Sequence, residues 1–201
     1  MGTFNIVNLL ITVPALLIAI TVHEFSHALA AYHMGDTTAA DQGRLSLNPL
    51  DHLDPIGTLM LVLFRFGWAK PVPINPYRFK NFKKGVILVS LAGPASNLLM
   101  ALTGSLLARF LIPLGISVLT DFLLIFIFIN VALAVFNLLP IPPLDGSRLL
   151  TVLIPPKYNH ISVFLERYGF FILIGFMMFF WSYFAPIVFR ISQFLIQLFF
   201  I

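Results

Sequence analysis

Two histidines and a glutamate interrupt an apolar stretch near the start of the chain. They are His23, Glu24 and His27, and residues 4–32 around them contain no other Asp, Glu, Lys or Arg. Residues four apart lie on one face of a helix, so the two imidazoles could bind one metal ion beside the glutamate. A carboxylate near the middle of a membrane costs about 3 kcal/mol, and such groups usually serve a function. The pattern predicts a metal site with an adjacent acid–base group; a hydrogen-bonded cluster that joins helices is the alternative.

A third metal ligand must come from elsewhere in the chain, because catalytic zinc usually has three protein ligands and one open position. The chain contains no cysteine, so thiolates are excluded. Asp145 is the candidate, at the end of NLLPIPPLDG (137–146). The prolines in this segment must end the preceding helix. If the break folds back into the membrane, Asp145 can meet the imidazoles; a helix N-cap or turn role is the alternative.

Composition indicates a polytopic membrane protein. Hydrophobic residues make up 59% of the 201 and charged residues only 10%, whereas ordinary soluble domains are about 45 to 50% apolar. Stretches long enough to cross a bilayer as helices occur at 4–32, 86–111, 117–139 and 161–183, with a borderline fifth at 186–201. We therefore expect an all-α membrane protein of about five transmembrane helices. It forms one membrane-embedded domain, 1–201, with a core at 4–150 and accessory helices in 161–201.

Residues 55–78 predict a re-entrant, partly extended hairpin. The apolar run 55–64 would reach only about halfway across a bilayer as a helix. The following sequence, RFGWAKPVPINPYRF, is rich in proline and aromatic residues, which favours extended backbone. Such backbone is tolerated at membrane depth only where protein or water covers it.

Basic residues predict the orientation in the membrane. Those that flank the start of the second span are Arg78, Lys80, Lys83 and Lys84. The positive-inside rule places them in the cytosol. Alternation then puts the N-terminus and 112–116 outside, and 33–54 and 140–160 in the cytosol, so the active site lies toward the cytosolic side. The chain offers no aqueous basic face for nucleic acid, and its surroundings are the lipid bilayer.

Several motifs together resemble the site-2 protease family of intramembrane zinc metalloproteases. They are HEFSH at 23–27, GWAKPVPINP at 67–76, AGPASN at 92–97 and NLLPIPPLDG at 137–146, and GRLSLNPLDHLDPIGTL at 43–59 is similar to the short bacterial and archaeal forms. The resemblance implies one zinc ion per chain, held by His23, His27 and Asp145, with Glu24 as general base. It also implies an integral protein of a prokaryotic plasma membrane.

Further residues are candidates for substrate binding. The resemblance implies that Asn137 holds the substrate backbone and that Asn97 lines the same core, although close helix packing is the alternative for AGPASN. In the hairpin, Lys70, Pro71 and Val72 could receive an unwound substrate segment as an added strand. The remaining histidines, His33, His52 and His160, are expected to be solvated surface residues.

The expected function is cleavage of single-span membrane proteins within or near the bilayer. The 112–116 link is too short for a PDZ module and nothing after residue 201 could be a nucleotide-sensing domain, so we expect a minimal form that is regulated by a membrane partner, by trimming of its substrate or by its own helices. A metal-ion transporter and a non-catalytic scaffold for client helices are the alternatives. A transporter would need polar groups in both halves of the membrane, where Asp121 is the lone acidic residue of the outer half. A scaffold would have no reason to retain Glu24.

Overall fold

The computed structural model describes residues 6–57 and 69–200. Within them, long α-helices alternate with short connections, and the sole strand-like pairing is an isolated bridge. The helices are α1 (Ile6–His33), α2 (Thr38–Asp41), α3 (Phe82–Leu111), α4 (Ser117–Asn137), α5 (Asp145–Leu153) and α6 (Asn159–Phe200). Single 3-10 turns lie at Pro49–His52, Pro76–Arg78, Ile112–Leu114 and Pro156–Tyr158. The predicted all-α class is confirmed.

Four of these helices, α1, α3, α4 and α6, are long and apolar enough to cross a membrane. The predicted spans 161–183 and 186–201 are not separate, because α6 continues through Pro186. Its 42 residues extend about 63 Å at about 1.5 Å per residue, roughly twice the thickness of a hydrocarbon core. A proline removes one backbone hydrogen bond, and apolar flanking residues can stay helical around it in a membrane protein. The described helices thus give four spans where about five were predicted.

Helices α1, α3 and α4 pack against one another at the centre of the protein. Small side chains at their contacts allow the helix backbones to approach closely, which is how helices associate when lipid offers no hydrophobic contrast. The fully buried alanines of this core are Ala15, Ala19, Ala28 and Ala31 on α1, Ala101 and Ala108 on α3, and Ala134 on α4. The polar residues of α1 and α3 are therefore held close together.

Helix α6 covers one side of this core. Its buried residues Phe184 and Val188 pack against Ile127 and Val131 of α4. Most of its other aromatic side chains are exposed, as expected for a helix at the lipid-facing periphery. At the N-terminal end of α4, the turn Ile112–Leu114 and Gly115, whose φ of 72° is left-handed, join α3 directly to α4. No inserted module lies between these two helices.

The residues just before the predicted hairpin pair with residues in its second half, whereas residues 58–68 lie outside the described residues. Leu53 and Ala69 form an antiparallel bridge, and the Lys70 N–H donates to the His52 carbonyl over 2.9 Å. Residues 70–75, which we call the returning arm, have no helical structure and lead into the turn that begins at Pro76. Of the described hairpin residues, 55–57 are helical and 76–78 form a 3-10 turn, so the non-helical character that was predicted is confined to 69–75, and the re-entrant path stays a prediction.

Asp36 attaches the returning arm to the end of α1. Its fully buried carboxylate accepts hydrogen bonds from the Asn75 N–H at 2.6 Å, from the Thr38 N–H at 3.0 Å and from the Thr38 hydroxyl. Burial would raise the pKa of Asp36, but these hydrogen bonds and the nearby Arg78 charge lower its pKa below the usual value. The charged form of Asp36 is therefore the one that the fold stabilises.

Candidate active site

Three side chains from distant parts of the sequence converge on one point. They are His23 and His27 of α1 and Asp145 at the start of α5. The two histidine Nε2 atoms are 3.0 Å apart and lie 3.2 and 3.1 Å from Asp145 Oδ2. Around a tetrahedral zinc ion with bonds of about 2.0 to 2.1 Å, ligand atoms lie about 3.3 Å apart. A small outward adjustment of the three side chains would therefore accommodate one ion.

The hydrogen-bond partners of the two Nδ1 atoms determine which nitrogen of each imidazole carries the hydrogen. His27 Nδ1 is 2.7 Å from the carbonyl oxygen of Val89, which can only accept, so Nδ1 donates. His23 Nδ1 lies 2.6 Å from Asn97 Oδ1 and donates in the same way. Each Nε2 then keeps its lone pair, and two lone pairs and a carboxylate face one another. This arrangement is repulsive unless a metal ion or an added proton lies at the centre, and two nitrogens and one oxygen suit zinc.

The proline-rich break brings Asp145 to the imidazoles. Helix α4 ends at Asn137 and α5 begins at Asp145, with Leu144 and not Asp145 at the N-cap position. Gly146 lies directly against the end of α4, where a Cβ atom would be 2.3 Å from the carbonyl oxygen of Leu138. Glycine is therefore required for α5 to approach α4 this closely, and the approach places the Asp145 carboxylate beside the histidines.

Gly93 leaves space for the imidazole pair beside α3. A Cβ atom at this position would lie 2.4 Å from His27 Nε2 and 2.5 Å from His23 Cε1. The interpretation of AGPASN as a helix-packing motif missed this contact, because the nearest neighbours of Gly93 are the imidazoles of the two candidate ligands. The available signal was spacing, since Gly93 and Asn97 are four residues apart and share one face of α3.

Glu24 lies beside the three converging atoms without joining them. It is half-buried on α1, and its Oε2 accepts a hydrogen bond from the Val72 N–H at 3.0 Å. Within residues 6–57 and 69–200, its other carboxylate oxygen has no hydrogen-bond partner. One oxygen of Glu24 is thus held by the returning arm, and no residue in the described part of the chain takes up the other.

The hairpin residues predicted to bind substrate lie on the returning arm. Both backbone groups of Lys70 are paired, its N–H with His52 and its carbonyl with the Arg44 guanidinium at 2.8 Å. Pro71 has no N–H, and the Val72 N–H is taken by the glutamate described above. In the described part of the chain, the backbone groups of these three residues that remain without a partner are the carbonyls of Pro71 and Val72. Successive carbonyls of an extended segment point to opposite sides, so an added strand would donate an N–H to one of these two carbonyls.

The two predicted substrate-binding asparagines lie in different surroundings. Asn97 is fully buried, and its side chain contacts the candidate ligand His23 and the α1 carbonyl of Ala19. This position fits a role in holding His23 better than the substrate contact inferred from the resemblance. Asn137 is half-buried at the end of α4, where its amide nitrogen donates to the Leu133 carbonyl at 3.0 Å. Substrate binding by Asn137 stays a prediction.

The other three histidines lie outside the site. His33 and His160 are exposed, as expected, and His160 lies in the first turn of α6. The expectation that His52 is solvated was wrong, because it is only 1% exposed. The turn Pro49–His52 folds the ring inward, where its Nε2 donates to the Ser46 carbonyl at 2.8 Å.

Comparisons with known proteins agree on one class. The family model of peptidase family M50 matches residues 113–180, which include α4 and Asp145. The candidate zinc metalloprotease YwhC of Bacillus subtilis is 43% identical over 169 residues, which cover 81% of this chain and 77% of that protein. The candidate zinc metalloproteases named Rip2 are 30% identical in Mycolicibacterium smegmatis (82% of this chain, 65% of that protein) and 33% identical in Mycobacterium tuberculosis (70% and 56%). No solved structure gives a significant match.

The helices, the site and these relatives together define the chain as an integral membrane protein and a zinc metalloendopeptidase. Within that class it belongs to peptidase family M50, the site-2 protease family. The family and enzyme class predicted from the motifs are confirmed, and the transporter and scaffold alternatives are set aside.

Proposed function

We propose that this protein hydrolyses peptide bonds in the transmembrane segments of single-span membrane proteins, using one zinc ion held by His23, His27 and Asp145. The observation that carries the proposal is the convergence of their three ligand atoms within 3.2 Å of one another, beside Glu24 and among helices of membrane-spanning length. An intramembrane location of this centre would expose the membrane segment of a client protein to hydrolysis.

The residues around the centre would each have a defined task. The two imidazoles and the Asp145 carboxylate would hold the zinc ion, which would supply Lewis-acid chemistry for activating water and polarising the scissile carbonyl. The free carboxylate oxygen of Glu24 accepts the water proton and later delivers it to the leaving amine. The hydrogen bond from Val72 to the other oxygen limits rotation of the carboxylate. Glu24 thus works as a proton carrier held in one orientation.

A client helix hides its backbone groups in internal hydrogen bonds, so it must unwind before hydrolysis. The returning arm would pair with the unwound segment, one N–H of which would donate to the carbonyl of Pro71 or of Val72. Asn137, at the end of α4 near the proline-rich break, would also hold the client backbone. We propose that this occurs toward the cytosolic side of a prokaryotic plasma membrane, in keeping with the basic residues at 78–84.

The decisive experiment combines cleavage with metal analysis. In cells that coexpress a single-span client, the wild type should yield a cleaved product, and Glu24→Gln should abolish cleavage while retaining zinc, because glutamine cannot accept the proton. His23→Ala and Asp145→Asn should lose both cleavage and zinc. Asp121→Asn, a change of an exposed acidic residue on α4, is the matched control and should keep both. Normal cleavage by Glu24→Gln would overturn the assignment.

A further inference from the structure

Two buried asparagines connect His23 to the core of the protein. Asn97 of α3 and Asn130 of α4 are both 0% exposed. Asn97 Oδ1 accepts from His23 Nδ1 at 2.6 Å, and Asn97 Nδ2 donates to Asn130 Oδ1 at 2.9 Å. Asn130 Nδ2 in turn donates to the Phe126 carbonyl of its own helix at 2.9 Å. The proposed reaction gives Asn130 no task, yet it lies two hydrogen bonds from a candidate zinc ligand.

The orientation of each amide in this chain follows from an oxygen that can only accept. The Phe126 carbonyl requires the nitrogen end of Asn130, so Asn130 presents its oxygen to Asn97. That oxygen and the Ala19 carbonyl, at 3.2 Å, both require the nitrogen end of Asn97. The oxygen of Asn97 is then directed at His23. Because an amide oxygen only accepts, His23 must carry its hydrogen on Nδ1.

The reversed orientation of Asn97 would be costly at a fully buried site. Its oxygen would face the oxygens of Asn130 and Ala19, so three acceptors would meet without a hydrogen between them. Its nitrogen would then face His23 Nδ1 and would require the hydrogen to move to Nε2, the atom that faces Asp145. A hydrogen on Nε2 prevents that nitrogen from binding a metal. The amide chain therefore selects the metal-binding tautomer of His23.

The two candidate histidine ligands differ in this respect. His27 Nδ1 donates to a backbone carbonyl, that of Val89, which no side-chain substitution removes. His23 Nδ1 depends on side chains from two other helices. A substitution in the amide chain should thus affect the geometry of one ligand and leave the other in place.

We propose that Asn130 is a positioning residue for zinc binding: through Asn97, it holds the His23 imidazole in the tautomer and ring orientation that present Nε2 to the metal. The proposal rests on the proposed zinc function. Partners that hold a metal-bound histidine by its other nitrogen typically change metal affinity about 10- to 100-fold when removed. Asn97→Leu should fall in this range. Asn130→Leu should have a smaller effect, about tenfold or less, because Asn97 keeps its bond to Ala19.

The test uses the purified full chain in detergent and measures zinc affinity by competition with a chelator. The visible spectrum of the cobalt(II)-substituted protein gives a second readout that does not depend on cleavage. Asn130→Leu should weaken zinc binding and alter the cobalt spectrum, and Asn130→Asp, which retains an oxygen for Asn97, should lie closer to the wild type. Ser105→Ala is the matched control, since Ser105 is buried on α3 and its hydroxyl donates to the Ala101 carbonyl of its own helix; this variant should bind zinc as the wild type does.

The double variant Asn97→Leu with Asn130→Leu separates positioning from general loss of structure. If Asn130 acts through Asn97, the double variant should bind zinc no more weakly than Asn97→Leu alone. Additive losses would overturn the proposal, as would unchanged zinc affinity and an unchanged cobalt spectrum in Asn130→Leu. If Asn130→Leu does not fold, Asn130→Ser, which is smaller and too short to reach Asn97, replaces it with the same expectations. A wild type that binds no zinc would overturn the proposed function itself, whereas a zinc-binding wild type matched by Asn130→Leu rejects only the positioning role.

Discussion

At the scale of single residues, Gly93 is where α3 comes closest to the candidate metal ligands. A side chain there could not coexist with the observed imidazole positions, since its Cβ would lie 2.4 Å from His27 Nε2. Either the rings would turn away from Asp145 or the two helices would separate. In both cases the three ligand atoms would no longer converge.

Gly93→Ala should therefore lose most of its zinc and lower the cleavage rate about 100-fold, the scale expected when a reacting centre is displaced by about 1 Å. Metal analysis of the purified variant and cleavage of a coexpressed client would measure the two effects. Gly175→Ala, on α6, is the matched control, because a Cβ atom there meets nothing within 4 Å. Full zinc content in Gly93→Ala would contradict the geometry of the site.

Sequence patterns identified the residues that converge but missed those that orient them. His23, His27 and Asp145 could be selected because only a few side-chain types bind zinc and the chain holds few of them in apolar surroundings. Val89 acts through its backbone carbonyl, and because every residue has one, the residue type does not reveal this role. Asn130 lies in an otherwise apolar span, and its contact with Asn97 depends on how α3 and α4 are rotated against each other, which periodicity alone does not fix.

At the scale of structural elements, the returning arm depends on its attachment to the end of α1. Asp36 supplies this attachment with a buried carboxylate whose pKa is lowered by its hydrogen bonds from Thr38 and Asn75. A group whose pKa is lower in the folded state stabilises the fold above its unfolded pKa, here 3.8. This contribution is lost as the pH falls through the lower pKa of the folded state.

Asp36→Asn should therefore be less stable than the wild type by about 1 to 3 kcal/mol near neutral pH, because charged hydrogen bonds are replaced. The difference should stay constant down to about pH 4 and narrow below it. Thermal unfolding in detergent at pH 7, 5 and 3 would follow the difference. Asp41→Asn serves as control, since that carboxylate is 62% exposed and 3.7 Å from Arg78 and should contribute little at any pH. A difference that widens on acidification would exclude this role for Asp36.

Helix α6 shows where element boundaries were harder to predict. The sequence predicted a break near Pro186, because proline ends most helices in water. In the structure the helix continues, and Phe184 and Val188 on either side of the proline both pack against α4. Tertiary contacts on both sides of Pro186 thus hold the two segments on one axis. The length of the apolar stretch was enough to predict that a helix exists here. Its continuation through Pro186 depends on packing against α4, which the sequence does not show.

At the scale of the whole molecule, the predicted orientation can be tested with single cysteines, because the chain contains none of its own. Gln42→Cys lies in the segment expected in the cytosol and Leu114→Cys in the link expected outside, and both positions are exposed. In intact cells a membrane-impermeant maleimide should label Leu114→Cys but not Gln42→Cys; after permeabilisation it should label both. Each variant should retain client cleavage, which confirms its fold. Labelling of Gln42→Cys in intact cells would reverse the orientation.

The class of the whole molecule was the most predictable level. Apolar length is an average over some 20 residues and survives local errors, so the all-α membrane class and its family followed from composition and motifs. The arrangement of the hairpin was less accessible: residues 69–75 are non-helical as expected, residues 55–57 are helical, and residues 58–68 lie outside the described residues. Pairing between Leu53 and Ala69 is a long-range contact that neither segment encodes alone.

If the returning arm binds the client as proposed, the hydrogen bond from Val72 to Glu24 joins client recognition to proton transfer. A client that binds to the returning arm without displacing it leaves the Glu24 carboxylate in its orientation. A poorly matched client that displaces the arm also changes the orientation of this carboxylate. The enzyme would then distinguish between clients by the rate of cleavage as well as by binding affinity. Variants evolved for a broader client range should consequently become slower enzymes, even toward the clients they already accept.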